Sequence, residues 1–91
     1  MDLNAIRELV EKDEEELFEG CFSEKRVRFD LSTRRNVKRD QYIQYFNKFM
    51  DDHRNIIILL ERQPSRDTEL IEKSKKCKNE ADRLLDIVYS Y

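Results

Sequence analysis

One glycine and one proline in 91 residues leave little room for turns. A β-sandwich or barrel needs many turns, so both are excluded and a few long helices are expected. A single glycine also argues against nucleotide-cradling loops, and the chain has no EF-hand loop, phosphate-binding glycine loop or nucleophile elbow. One histidine is too few for a carboxylate-bridged di-iron bundle, which takes two Glu-x-x-His motifs. The two cysteines, Cys21 and Cys77, fit no metal-site spacing or disulfide framework. They read as free thiols of a reducing compartment. No run approaches the about 20 apolar residues of a membrane span, and the acidic N-terminal stretch has no signal-peptide core. These absences lead us to expect a soluble intracellular protein, cytoplasmic or nuclear. They point to no cofactor, metal, membrane or small-molecule substrate.

What the chain does contain is charge. Charged residues make up 42% and apolar residues 38%, enough for one small domain with a marginal core. The net charge is −2, but it is unevenly spread. Residues 1–20 carry eight acids and two bases; residues 21–39 carry seven bases and two acids.

Three stretches have helical periodicity. In residues 40–63, Tyr42, Tyr45, Phe46, Phe49, His53, Ile56, Ile57 and Leu60 fall on one face, with Asp40 as a plausible N-cap. Ile58 points away from that face. In residues 2–19, Leu3, Ile6, Val10 and Leu17 share a face with Leu9 at its flank. Asp2 or Asn4 is placed to cap the start, and Gly20 to end the helix in a left-handed conformation. In residues 66–90 and on to Tyr91, the residues Leu70, Ser74, Cys77, Ala81, Leu84, Val88 and Tyr91 recur at spacings of four and three, a heptad seam. Gln63-Pro64-Ser65 separates the second and third stretches, and Ser65 or Asp67 is placed to cap the third. The expected fold is all-α: a small bundle of three helices with a long antiparallel, coiled-coil-like hairpin. In it Tyr42–Phe49 meets Leu84–Tyr91, and Ile56–Leu60 lies opposite Leu70–Cys77.

Residues 21–39 read differently. Val27, Phe29 and Leu31 alternate with Arg26, Arg28, Asp30 and Ser32, a period of two that predicts an extended connector. Its bases Lys25, Arg26, Arg28, Arg34, Arg35, Lys38 and Arg39 suit either neutralisation of the acidic first helix or binding to phosphate backbones. Within it, Arg26-Val27-Arg28-Phe29 resembles the RVxF docking peptide of type-1 protein phosphatase regulators. The resemblance implies that Val27 and Phe29 fill two apolar pockets as an extended strand adds to a sheet edge.

His53 is the one titratable group placed for general-base work, with Asp52 beside it as the orienting carboxylate. No nucleophile accompanies it, and a core or interface histidine is the simpler reading. The expected function is therefore non-enzymatic: a protein–protein interaction module, subunit or adaptor of a larger assembly, or a homo-oligomer. Candidate contact residues are Arg26, Val27, Phe29, Arg34, Arg35, Lys38 and Arg39 in the basic segment. Ile58, Leu59 and Ile87 are added because the inner faces leave them over. A nucleic-acid-binding factor and a phosphatase-targeting subunit are the alternatives.

Overall fold

The computed structural model describes residues 2–91, which form three helices: α1 (Leu3–Phe18), α2 (Glu24–Glu61) and α3 (Thr68–Ser90). Asp2 caps α1, its carboxylate accepting from the Ala5 N–H at 2.8 Å. Asp67 caps α3 in the same way, accepting from the Leu70 N–H at 3.1 Å. Both caps satisfy a backbone donor that the helix itself leaves free. Between α2 and α3, Pro64 lies in the turn and Arg66 takes a left-handed conformation (φ 37°).

The basic connector is not extended. Residues 24–39 belong to α2, and Asp40 lies inside that helix rather than at its start. The alternation of Val27, Phe29 and Leu31 is better described by its outer pair. Four residues apart, Val27 and Leu31 share the buried face of a helix, while Phe29 between them points to solvent.

α2 is not one straight rod. Arg34 has non-helical angles (φ −137°, ψ 41°), and there the chain doubles back. Twelve residues of straight helix span about 18 Å, yet the Tyr42 hydroxyl donates to the Asp30 carboxylate. Likewise the Phe22 and Tyr45 rings stack at 3.7 Å. Local chemistry favours a bend here. The Ser32 and Thr33 hydroxyls both donate to the Phe29 carbonyl, at 2.8 and 3.0 Å, competing for a helical acceptor. No residue from 32 to 41 is buried, so packing does not hold this stretch straight.

The result is a rod of 47 × 19 × 18 Å. α1 and the short first arm of α2 (24–33) follow one another along one edge, broken at residues 19–23. The long arm of α2 (35–61) runs back beside them, and α3 returns antiparallel to it. Gly20 sits in the break, but without a left-handed φ. Its role is closeness: a Cβ there would lie 2.9 Å from the Glu16 Cα. The core has two parts. Leu17, Val27, Leu31, Tyr42, Phe46 and Phe49 pack against Cys77, Ala81, Leu84, Leu85 and Val88. Ile6 and Val10 pack with Ile56, Ile57 and Leu60 against Leu70 and Ile71. The register of the hairpin is the one the two apolar seams predict.

Candidate interaction surfaces

Between the two cores lies a buried polar chain. His53 and Ser74 are both 0% exposed. His53 Nδ1 is 2.8 Å from Ser74 Oγ, and Nε2 is 2.9 Å from the Asp13 carboxylate. A carboxylate only accepts, so Nε2 carries a proton; in a neutral ring Nδ1 then accepts from the serine hydroxyl. Asp13 occupies the place in the α1 stripe where an apolar residue would otherwise continue Ile6 and Val10 toward Leu17. Asp52, expected beside the histidine, instead pairs with Lys48 at 2.9 Å on the surface. The order serine–histidine–aspartate is that of a nucleophile, base and orienting acid. Here no substrate reaches Ser74, and all three helices meet through the chain, which ties them together.

Ion pairs join α1 to α3: Lys76–Glu14 at 3.7 Å and Lys73–Glu11 at 3.9 Å, with Arg7 to the α3 cap Asp67 at 2.7 Å. The acidic first helix is therefore matched by α3. Among the described residues, none of the ion pairs joins it to the basic segment. There Arg26 pairs with Asp30 at 3.6 Å and Arg28 with Glu24 at 2.8 Å. Glu24 also meets Arg83 at 2.7 Å. Hydrogen bonds from Arg28 and then Arg83 hold its carboxyl below the usual glutamate value. Lys25, Arg34, Arg35, Lys38 and Arg39 have no carboxylate partner among the described residues; the Arg39 guanidinium lies over the Tyr89 ring at 5.6 Å.

The candidate contact residues are not all presented to a partner. Val27 is fully buried and Phe29 is 57% exposed, on different faces of a helix. The phosphatase-docking resemblance needs both on one side of an extended strand, so this fold does not display it. Ile58 and Leu59 are exposed at the loop end of the rod. Ile87 is half-buried against the aromatic core, near the other end. The leftover apolar residues are thus not one cluster.

A feature that periodicity did not reveal is the groove where α1 and the long arm of α2 splay apart. Ile6, Leu9, Ile56 and Leu59 line it with Asp52 and Asn55, around about 360 Å³. Farther along the same seam is a more polar recess of about 370 Å³, lined by Cys21, Arg26, Asp30, Lys38, Tyr42 and Tyr45. Burial and the Asp30 carboxylate push the Tyr42 phenol above its usual value, keeping it a donor. On the long arm both recesses are lined from one stripe: Lys38, Gln41 and Tyr45, then Asp52, Asn55 and Leu59. These steps of three and four residues define one helix face. Comparison with known proteins finds no matching family model, curated protein or solved structure.

Proposed function

We propose that this chain is a non-enzymatic protein–protein interaction module that works as a subunit or adaptor. The observation that carries the reading is the apolar groove of Ile6, Leu9, Ile56 and Leu59, of which Leu9 and Leu59 are exposed. A chain with so little apolar sequence gains from burying such residues, and contiguous exposed apolar surface marks contact sites. Against catalysis stand the burial of the only histidine and of its serine partner. The experiment is capture of binding partners by the full chain and by a Leu59→Glu variant. Leu59 is 40% exposed, so the fold and its circular dichroism should survive while recovery of a specific partner falls. Equal recovery by both would remove the groove from the proposal.

A second reading rests on the five bases of residues 25–39 that lack a carboxylate partner among the described residues. Free cations around a helical tip suit a phosphate backbone, whose binding weakens steeply with salt. Arg34→Ser, Arg35→Ser, Lys38→Ser and Arg39→Ser together should preserve helicity and abolish any salt-sensitive binding to RNA or DNA. Unaltered binding would exclude this reading.

A further inference from the structure

We infer that the partner of the groove is a second copy of this chain, paired antiparallel about a two-fold axis through the α1/α2 face. This rests on the module reading and names its occupant. The observations concern that one face. At its loop end lies the apolar groove of Ile6, Leu9, Ile56 and Leu59, bordered by the half-exposed Asp52, whose one ion pair is to Lys48 on the same helix. Toward its other end Phe29 projects, sharing a recess with Lys25 and Arg26. One half of the face thus offers an apolar groove with a carboxylate, Asp52, at its border, and the other an apolar knob bordered by two bases.

An antiparallel two-fold axis maps each half onto the other. Phe29 of each copy enters the groove of its mate, and Lys25, one turn from Phe29, comes beside Asp52. Both contacts form twice, as an isologous interface requires. A parallel pairing would set Lys25 and Arg26 against the same two bases of the mate, and Asp52 against its own kind. Charge therefore selects the antiparallel arrangement and rejects the other. The size also fits: a face 47 Å long and 19 Å wide accommodates the about 800 Å² per partner of a standard interface.

The test is sedimentation equilibrium of the full chain and its variants at micromolar concentrations, with circular dichroism to confirm folding. The native chain should sediment at twice its 11.2 kDa mass. Phe29→Glu should weaken the pairing about tenfold or more, since it removes a buried aromatic anchor. Lys25→Glu and Asp52→Lys should each weaken it, and the double variant should restore it, because the swapped charges attract only if residue 25 of one copy meets residue 52 of the other. A native chain that stays monomeric overturns self-pairing, as does a distinct protein found seated in the groove. In both cases the module reading is judged separately, by the Leu59→Glu capture. A dimer unaffected by the single charge reversals, or not restored by the double one, overturns the antiparallel pairing.

Discussion

Cys77 and His53 show how position decides the chemistry of a side chain. Cys77 is buried in the aromatic core, and desolvation, with Glu14 and Asp13 nearby, pushes its thiol up to about 12. Cys21 is exposed in the break after α1. A thiol reagent at neutral pH should therefore titrate one cysteine in the native protein and two in denaturant, because only an accessible thiolate reacts. Two rapid equivalents in the native state would mean that the core is open. The raised thiol also bears on stability. Below the ordinary thiol value of 9.0 both folded and unfolded chains keep the proton, and the stabilising contribution is whole. Between there and about 12 only the unfolded chain releases it, so this contribution declines as pH rises. His53 presents the opposite problem, a polar ring as fully buried as its partner Ser74, with Asp13 only partly covered. His53→Leu keeps much of its volume but leaves Ser74 and Asp13 without a partner, for an expected loss of about 1–3 kcal/mol in urea unfolding. Adding Ser74→Ala should recover part of that loss, since removing both members of a buried pair costs less than removing one. A double variant weaker than the single would show that Ser74 is satisfied in another way.

At the scale of elements, the hairpin of the long α2 arm and α3 was legible because two long seams repeat without interruption. Tyr42 to Leu60 and Leu70 to Val88 are buried where periodicity places them. The first arm of α2 was not legible. It is too short for more than two core residues, Val27 and Leu31, and the exposed Phe29 between them imitates a strand. The groove was hidden for a different reason. A stripe tells which face of a helix is apolar, but not how far two helices splay, and Leu9 and Leu59 become a site only through that distance. Gly20 illustrates the same limit, since its position is set by an approach to α1 that sequence spacing does not encode. A methyl group at Gly20 would meet backbone, at 2.9 Å from the Glu16 Cα, and backbone yields less readily than a flexible side chain. Gly20→Ala should therefore destabilise by about 1–3 kcal/mol, the usual range for overpacking, read as a lower denaturation midpoint with an unchanged slope. A neutral outcome would mean that the break at residues 19–23 relaxes freely.

At the scale of the whole molecule, the three helices are held by different kinds of force. The long α2 arm and α3 share most of both cores, which are close-packed and apolar. α1 contributes three buried apolar residues, Ile6, Val10 and Leu17, and is otherwise held by polar contacts. They include the Asp13–His53 hydrogen bond and the ion pairs of Arg7, Glu11 and Glu14 with α3. Ion pairs this exposed are worth about 0–1 kcal/mol each and weaken in salt. Opening of α1 should therefore be cheaper than opening of the hairpin, because local stability follows buried apolar contact. Native-state hydrogen exchange should show it. Amides of residues 46–60 and 70–88 should exchange slowest, near the global unfolding limit, and those of α1 measurably faster. Added salt should speed exchange in α1 while leaving the hairpin nearly unchanged, since screening acts on the ion pairs and not on the apolar core. Equal protection of all three helices, with no response to salt, would show that the buried Asp13–His53–Ser74 chain makes the rod a single cooperative unit.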